Sequence, residues 1–488
     1  MRFQHYCLGL LAVLATSVAA HPRVALDPTL PTDLTFSATD NVEYLGRFPE
    51  HSGTAGARLL GDRFYLTDPR GVFVYDVSIP ESPELLGSLI LPQTFTGVAL
   101  AQEDPDTDGK ILLVDSVDPN MPEIGDGLVF GSLQVVDVSD PANMRVLGTA
   151  DVADHTWNCV SAEVDGELNG CAYAYGRTGW IVDLRDPTNP TPLEQTWRAA
   201  VNYGDLGNTP YTHDLTEIRP GIVMSAGSSN ILMDTRDPAN PVELNRVSFE
   251  PERFSTLGYH QVEWPNAGRD SIAVFGTEIA PSGNTNTAGS DCEASADGGA
   301  NSVVETWDAR AVSAALDAYL AGELNVEDVR AMNFSLLDAY DAGSRGLFLD
   351  GSAPGHVLYC AHWFEVHPEF DGSGLMVVSY YDRGTRFVNI DPQGQMEEVG
   401  WLVAAESYSG SAQWVSEDVV YVMDYRRGLE IIHLVDQPAT QVYQRNANAT
   451  RPTRGGGAFW APLMIAVLLT GATWLRRRQV AFCAAHDR

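Results

Sequence analysis

Basic residues are scarce in this sequence of 488 residues. Lysine occurs once, at Lys110, and the 30 basic residues stand against 65 acidic ones, which gives a formal net charge of −35 at pH 7. Proteins that bind nucleic acid carry a basic patch or stripe, and this sequence has none. The composition therefore excludes nucleic acid as a partner, and the acidity favours solubility in a saline or calcium-containing exterior.

Cysteine is also scarce, and no C-x-x-C spacing indicates zinc binding or redox chemistry. Of the six cysteines, Cys7 lies in the N-terminal apolar run and Cys483 lies beyond the C-terminal arginines. The other four would face an oxidising compartment, in which disulfides persist: Cys159, Cys171, Cys292 and Cys360. Four cysteines allow three pairings. Two of them fall on successive strands of one expected hairpin, so we predict Cys159–Cys171, which leaves Cys292–Cys360 to tie a long insertion to the rest.

Long apolar runs are confined to the two ends of the chain. At the N-terminus, Arg2 precedes an apolar run over 7–18, and small residues follow up to Ala20. This order is typical of a secretory signal peptide, so we predict a signal peptide over 1–20 with cleavage after Ala20. The protein is therefore expected to be exported.

The C-terminal run follows three glycines, Gly455–Gly457, and ends at three arginines, Arg476–Arg478. It has about the minimum length for a bilayer span, and the arginines would place its end in the cytoplasm. One interpretation of 455–478 is a simple membrane anchor. The order also resembles the GlyGly-CTERM sorting signal of Gram-negative bacteria. That resemblance implies that a rhomboid-type protease removes the tail and that the protein then moves to the cell surface.

Between the ends, one pattern of strands and turns recurs. A glycine opens a β-branched and aromatic run that ends in Asp, and a turn with proline and a second short apolar strand follow. The copies read GVFVYDVSIPESPELLGSLIL from Gly71, GSLQVVDVSDPANMRVLGTADV from Gly131, GWIVDLRDPTNPTPLEQTW from Gly179, NILMDTRDPANPVELNRVSF from Asn230 and, more weakly, TRFVNIDPQGQMEEVGWLV from Thr385. A repeat of roughly 40 to 50 residues built only of strands and turns indicates propeller blades.

Counting second and third strands predicts an all-β, seven-bladed propeller of four-stranded blades over 42–436. The seventh copy lacks an outer strand, and 437–454 has the composition of a polar linker. VEYLGRF, from Val42, matches the missing strand, so we expect the N-terminal strand to close the ring. Blade five is interrupted by a segment from Ala311 to Tyr340 whose apolar spacing predicts helices, on a rim where they could cover the channel mouth.

The repeats VVDVSDP at Val135 and WIVDLRDP at Trp180 resemble those of the LVIVD-repeat propellers, a family of exported bacterial proteins. The resemblance extends from about Val42 to Val435. It implies the propeller fold and an exported location, but no chemistry, because the family has no generally assigned activity.

Four histidines occupy matching places, just before the second strand of blades three to six and at one phase of the innermost strand: His155, His213, His260 and His362. Residues at one phase of these strands converge on the ring axis. Neutral imidazole is the commonest ligand of iron, copper, zinc and nickel, so the set predicts a transition-metal site on the axis. The alternative is that repeat evolution copied histidines that only bond to backbone and water. The matching segments of the other blades, TAGARLL, FTGVALA and SAQWVSE, contain no histidine, and Glu263 and Glu365 are expected to make inter-blade contacts.

A second candidate site is DPDTDGKILLVD, which matches the spacing of a calcium-binding loop. Its ligands would be Asp104, Asp106, Asp108 and Asp115, with Gly109 at the turn. The helices that flank such a loop are missing here, so a solvated acidic turn is the alternative.

The sequence supports two functions of different classes. No phosphate loop or nucleophile elbow is present, so the first hypothesis is an exported surface module that binds an unknown ligand or partner, or acts as a scaffold. The second is a metal-dependent enzyme that uses the histidine cluster, with oxidation as one candidate reaction.

Overall fold

A computed structural model describes residues 35–54, 56–91, 103–116, 132–152, 154–203, 212–248, 258–278, 303–342, 361–381, 383–435 and 442–446. The predicted signal peptide, the apolar tail, Cys292 and Cys360 lie outside these ranges. Within them, no helix combines the length and the apolar character needed to cross a bilayer.

The described residues form seven antiparallel sheets. The chain begins with β1 (Thr35–Thr39) and β2 (Val42–Phe48), and blade one consists of β3 (Ala57–Leu60), β4 (Arg63–Asp68), β5 (Gly71–Asp76) and β6 (Glu84–Ile90). Blade two consists of β7 (Asp106–Thr107), β8 (Ile111–Ser116), β9 (Ser132–Asp137) and β10 (Arg145–Ala150). Blade three consists of β11 (Trp157–Val164), β12 (Glu167–Gly176), β13 (Ile181–Asp183) and β14 (Thr191–Pro192).

Blade four consists of β15 (Thr212–Arg219), β16 (Ile222–Gly227), β17 (Ser229–Asp234) and β18 (Val242–Ser248). Blade five consists of β19 (Tyr259–Glu263), β20 (Ile272–Thr277), β21 (Val304–Asp308) and β22 (Ser335–Tyr340). Blade six consists of β23 (Phe364–Val366), β24 (Gly374–Ser379), β25 (Thr385–Ile390) and β26 (Met396–Ala404), and blade seven of β27 (Ser409–Trp414), β28 (Val419–Asp424) and β29 (Gly428–Leu434). The last strand is β30 (Val442–Asn446).

The N-terminal strand closes the ring, as predicted. Strand β2 pairs with β29 in an antiparallel register that places Tyr44 opposite Ile432, so blade seven has the order β2-β29-β28-β27. This exchange joins the two ends of the propeller in one sheet, covers the edge of β29 and makes β2 the outermost strand of blade seven. The seven-bladed prediction is confirmed.

Blade six is larger than predicted, because two further strands follow its fourth strand. Strand β1 pairs with β26, with Phe36 opposite Ala404, and β30 lies beyond β1 in the same sheet. The prediction that 437–454 is only a linker is therefore wrong for 442–446. The polar sequence of β30 hid this strand, because the outermost position of a sheet does not require an apolar run.

The central strands of each blade are buried on both faces, because each sheet packs between two neighbours. Between blades one and two, Tyr65 and Val74 pack with Leu112 and Val136, all of them at most 1% exposed. The Asp residues that end the third strands hold the turns, as expected, since Asp76 accepts a hydrogen bond from the Ser78 amide at 2.9 Å. The repeated sequence pattern thus encodes one packing unit that only its neighbours complete.

Four helices are described: α1 (Trp197–Ala200), α2 (Pro265–Gly268), α3 (Arg310–Leu320) and α4 (Val326–Arg330). Helices α3 and α4 lie in the blade-five insertion and bury Leu316 and Val329 in a core shared with Leu244 of β18. They do not line the central cavity described below. The expectation that this segment covers the channel mouth is therefore wrong, because its apolar face packs against blades four and five.

Candidate metal centre

The four histidines predicted to converge do lie together on the axis. Neighbouring ring centroids are 5.0 Å apart for His155 and His213, 3.7 Å for His213 and His260, and 4.6 Å for His260 and His362. Each ring is at most 5% exposed. The cluster arises because His213 and His260 lie on the innermost strands of their blades, and His155 and His362 lie two residues before theirs.

Sequence reasoning missed the residue at the centre of the cluster, which is Glu103. The Nε2 atoms of His155, His213, His260 and His362 lie 3.1, 3.7, 3.9 and 3.4 Å from its Oε2 atom. Glu103 precedes β7, the innermost strand of blade two, as the histidines precede or begin theirs. The sequence prediction assigned FTGVALA to this position of blade two and found no histidine there. The signal for Glu103 was its position three residues before β7, which is close to the positions of the histidines relative to their strands.

A second carboxylate, Glu278, lies at the end of β20 and was also missed. Its Oε2 atom is 3.3 Å from Nε2 of His260, and its Oε1 atom is 3.8 Å from Nε2 of His362. The donor atoms of Glu103, His213 and His260 lie within 4.8 Å of one another, as do those of His260, Glu278 and His362. Two ligands on opposite sides of one ion at about 2.1 Å are ~4.2 Å apart, so the arrangement fits a metal ion after a small closure.

Two tyrosines fix the carboxylates. The hydroxyl of Tyr425 donates to Oε1 of Glu103 at 2.9 Å, and the hydroxyl of Tyr381 donates to Oε1 of Glu278. The Tyr381 ring also stacks on His362, with centroids 4.6 Å apart. These contacts leave the Oε2 atoms of both carboxylates directed at the histidines.

The histidine nitrogens are arranged as in a metal site. The Nδ1 atom of His362 lies 2.5 Å from the carbonyl oxygen of Gly410, so Nδ1 carries a proton and Nε2 faces the cluster. Such a backbone partner is typical of metal-ligating histidines. His260 is fully buried, and neither of its ring nitrogens forms a hydrogen bond with the described residues. A buried imidazole in this state is costly unless something else binds it.

The electrostatics keep two of the rings neutral. Burial, together with the neighbouring imidazoles, holds the pKa values of His213 and His260 well below the ordinary histidine value. Burial alone would raise the pKa of Glu103, but His155 and His362 outweigh it and hold this pKa well below its usual range. For His362, burial lowers the pKa, and the carboxylates of Glu103 and Glu278 reverse the shift and raise it. Neutral imidazoles beside an ionised carboxylate are ready to ligate a cation.

A glycine allows Glu103 to approach the axis. A Cβ atom at Gly56, just before β3, would clash with the carbonyl oxygen of Glu103. The backbone of blade one therefore packs directly against the segment that carries Glu103, and no larger residue fits at this position.

A vestibule open to solvent lies beside the cluster and shares one residue with it, Glu103. It has an empty volume of about 510 Å³, including solvent at its mouth. Asp214 is buried, whereas Glu263 and Glu365, further along the innermost strands, are half-buried. Burial raises the pKa of Glu365 to about 7. Within the described part of the chain, Arg58 is the one basic residue that lines this cavity.

The two glutamates of the vestibule also link neighbouring blades, as predicted. Glu263 accepts a hydrogen bond from the Val366 amide at 2.8 Å, and Glu365 accepts one from the Trp414 amide. Each therefore joins its own innermost strand to that of the next blade, while its carboxylate faces the cavity.

The four aspartates of the calcium pattern are not brought together. Asp106 lies on β7, and Asp108 caps the following turn by accepting from the Lys110 amide at 2.9 Å. Asp115 lies four residues after Ile111 on β8, which places it ~13 Å further along the strand. An ion there would be held by fewer of the four than the pattern requires, and calcium binding by this hairpin stays a prediction.

The disulfide Cys159–Cys171 is formed, as predicted. It joins β11 to β12 across the hairpin of blade three, with the two Cα atoms 4.5 Å apart. The second predicted pair, Cys292–Cys360, lies outside the described residues.

Seven radial sheets, six of them with four strands and one with six, closed by strand exchange between the chain ends, define the protein as a β-propeller. A sequence profile of the LVIVD repeat matches residues 128–152. No curated protein matches the chain.

Three solved structures are among those that match this chain. The β-propeller domain of Cps50 (Swd1) from Myceliophteria thermophila has 11% identity and a TM-score of 0.47, and the match covers 79% of this chain and 97% of that one. The WD40 repeats of RRP9 have 10% identity and a TM-score of 0.47, with 80% and 97% covered. The computationally designed Ika8 protein has 11% identity and a TM-score of 0.40, with 80% and 98% covered. The fold assignment itself rests on the strand pairing described above.

Proposed function

We propose that this chain is an exported binding module whose ligand is a transition-metal ion on the propeller axis. His155, His213, His260 and His362 would supply nitrogen ligands, and Glu103 would supply oxygen, with Glu278 as a second carboxylate. The observation that carries the proposal is that four Nε2 atoms lie 3.1–3.9 Å from one carboxylate oxygen. A donor set of imidazole and carboxylate without thiolate suits iron, zinc, nickel or copper.

The competing account is a metal-free ion-pair cluster. In it, the ionised Glu103 carboxylate is balanced by a protonated His362, in line with the raised pKa of that histidine. The ion pair between Glu103 and His362 leaves the buried ring of His260 unexplained, since the two nitrogens of His260 form no hydrogen bond with the described residues. An ion that ligates all four imidazoles accounts for every ring in the cluster.

Elemental analysis tests the proposal. The full-length chain, purified without chelator and incubated with iron, cobalt, nickel, copper or zinc salts, is expected to retain about one ion per chain. Replacing any one of the four histidines with Ala should strongly reduce retention.

The matched control is His433→Ala. His433 lies on β29, outside the cluster, with Nε2 2.9 Å from Asp418 and Nδ1 3.4 Å from Glu43. His51 is unsuitable, since its buried ring bridges Asp68 and Tyr75. A wild-type chain that retains no metal, or a His433→Ala chain that loses as much as the cluster variants, would contradict the proposal.

A metal-dependent enzyme is the second candidate, and the vestibule favours it, because a solvent-exposed cavity is lined in part by Glu103, a residue of the cluster. The metal-loaded protein would then consume oxygen or peroxide when given an organic reductant. Stoichiometric metal binding without such consumption would leave the binding module as the better description.

The location of the protein is part of the proposal. Export would follow from the signal peptide over 1–20, and the disulfide in blade three is compatible with an oxidising compartment. Before processing, the apolar C-terminal segment would hold the propeller in the periplasm at the inner membrane, and a sorting protease would be its partner. Mass spectrometry of surface-released protein should then find a C-terminus near Gly455–Gly457. A mature protein that retains Arg476–Arg478 would indicate a permanent anchor.

A further inference from the structure

The vestibule has an uneven distribution of charge. The acidic side chains of Asp104, Asp214, Glu263 and Glu365 line it together with Glu103. Burial raises the pKa of Asp104 and Glu365 to about 7, and it raises the pKa of Asp214 and Glu263 well above the ordinary carboxyl value, so the negative charge of the vestibule grows as the pH rises through neutrality. Among the described residues, Arg58 is the one basic side chain in its lining. A cleft lined by charge of one sign concentrates ions of the opposite sign and raises their rate of entry. A single guanidinium in such a cleft opposes that effect for cations.

Arg58 is held in place from two sides. It belongs to β3 of blade one, and its Nε atom lies 3.2 Å from Oδ1 of Asp106 on β7, while Nη1 lies 4.0 Å from Oδ1 of Asp104. Asp106 is itself anchored, because its Oδ2 atom accepts a hydrogen bond from the Cys159 amide at 2.9 Å. The Arg58 side chain nevertheless remains 41% exposed. The ion pair with Asp106 therefore holds the Arg58 side chain in place, while this side chain still lines the cavity.

The cluster that this cavity reaches is closed to solvent. His260 and His362 are fully buried, and Glu103 is 4% exposed. An ion that binds there must pass side chains on its way in. Glu103 belongs both to the cluster and to the vestibule lining, so this one residue separates the cavity from the histidines.

We propose that the vestibule is the route by which the metal ion enters and leaves the axial site, and that Arg58 is the gate on this route. The inference rests on the proposed metal-binding function. The carboxylates attract a divalent cation into the cavity, and the fixed charge of Arg58 slows its passage in both directions. Arg58 thus controls how fast the site loads and empties, whereas the histidines and Glu103 determine how tightly it binds.

Stopped-flow loading of the metal-free, full-length chain with Co²⁺ tests the gate, because cobalt bound to nitrogen and oxygen ligands has a visible absorption band. Arg58→Gln removes the charge and is expected to accelerate loading about tenfold, the lower end of the range that charge in a cleft produces. Release to an excess of chelator should accelerate by a similar factor, so that the equilibrium affinity changes little. Arg58→Lys keeps the charge and should load nearly as slowly as the wild type.

Two further variants complete the design. Glu365→Gln removes an acidic group but keeps an oxygen that can accept from the Trp414 amide, and it should slow loading above pH 7, where Glu365 is ionised. Arg63→Gln is the matched control, since Arg63 lies on β4 of the same blade and does not line the cavity. Its loading rate should equal that of the wild type.

The outcomes separate the two proposals. If Co²⁺ binds but Arg58→Gln and Arg58→Lys both load at the wild-type rate, the gate is wrong and the metal site stands. If Arg58→Gln changes the release rate and the affinity but leaves the loading rate unchanged, Arg58 acts through the structure of the site, and the gate is again wrong. If the wild-type chain binds neither cobalt nor another transition metal, both proposals fail.

Discussion

At the scale of single residues, Glu103 organises the centre of the molecule. It lies on the axis because blade two places it where blades three to six place histidines, and Gly56 leaves the space for its backbone. Its low pKa keeps it ionised, so four imidazoles face a negative charge. This arrangement holds the rings together whether or not an ion is bound, and only the metal-binding experiments distinguish the two cases.

The hydroxyl of Tyr425 should matter for metal affinity. Tyr425→Phe removes the hydrogen bond to Oε1 of Glu103, which fixes the carboxylate against the histidines. We expect a loss of affinity of about 10- to 100-fold, as is typical when a partner of a metal ligand is removed. Competitive titration against a chromophoric chelator measures it.

Tyr175→Phe is the control for this variant. It removes an equally buried hydroxyl, whose hydrogen bond goes to the carbonyl oxygen of Pro238 in blade four. Metal affinity should remain at the wild-type value in this control, and equal losses in both variants would show that the Tyr425 effect is only structural.

The stability of the metal-free protein should depend on pH through the cluster. His213 and His260 have pKa values well below 6.5 in the folded state, so the unfolded chain binds protons there that the folded chain does not. The free energy of unfolding should therefore fall as the pH is lowered below about 6.5, by up to ~1.4 kcal/mol per pH unit for each group. His362, with its raised pKa, acts above about 6.5, where its stabilisation is lost as the pH rises.

Urea unfolding of the metal-free chain between pH 5 and 7 measures this dependence. His213→Gln removes one of the two depressed groups and should flatten the fall in unfolding free energy. Identical pH profiles for the wild type and this variant would show that His213 is protonated in the folded state, contrary to the buried, neutral ring.

At the scale of elements, the hairpin of β11 and β12 carries the one disulfide among the described residues. Both cysteines are buried in the core between blades two and three. Their replacement by Ala in a double variant should reduce the free energy of unfolding by about 2–4 kcal/mol, the usual effect of a native disulfide. Urea unfolding measures the loss, and wild-type protein treated with a reductant should show a similar one.

Non-reducing peptide mapping supplies the chemical check on the same element. Protein taken from an oxidising compartment should yield the Cys159–Cys171 crosslinked peptide. Free thiols at both positions would contradict the structure and the expected export together.

At the scale of the whole molecule, ring closure depends on β2. This strand pairs with β29 along its whole length, although the two lie at opposite ends of the propeller sequence. A chain that starts at Pro49 should leave β29 with an open edge, and we expect it to lose cooperative unfolding and to associate through that edge. A chain that starts at Thr35 keeps both N-terminal strands and should unfold like the mature protein.

Size-exclusion chromatography and thermal unfolding compare the two truncations. The expected result is a monomer with an unchanged Tm for the longer chain and oligomers with a lowered Tm for the shorter one. A shorter chain that stays monomeric at the same Tm would show that the blade-seven sheet is stable without its N-terminal strand.

The sequence by itself determined the number of blades and the strand that closes the ring. Each second or third strand, such as β5 or β25, is a local apolar run bounded by glycine and Asp-Pro turns, so its pattern needs no distant contact to be recognised. The phase of the four histidines was equally local, because it follows from the alternation of side chains along a strand. The hairpin disulfide could be predicted for the same reason.

Only the tertiary structure decided what meets on the axis. Glu103 lies before a strand of two residues, and Glu278 lies at the end of a second strand, so neither shares a local signal with the histidines. The calcium pattern is the opposite case. Its local spacing matches a calcium-binding loop, but β8 carries Asp115 away from Asp108. The local sequence determines on which face of its strand a side chain lies. The closure of seven sheets around one axis determines which of these side chains come close enough to bind the same ion.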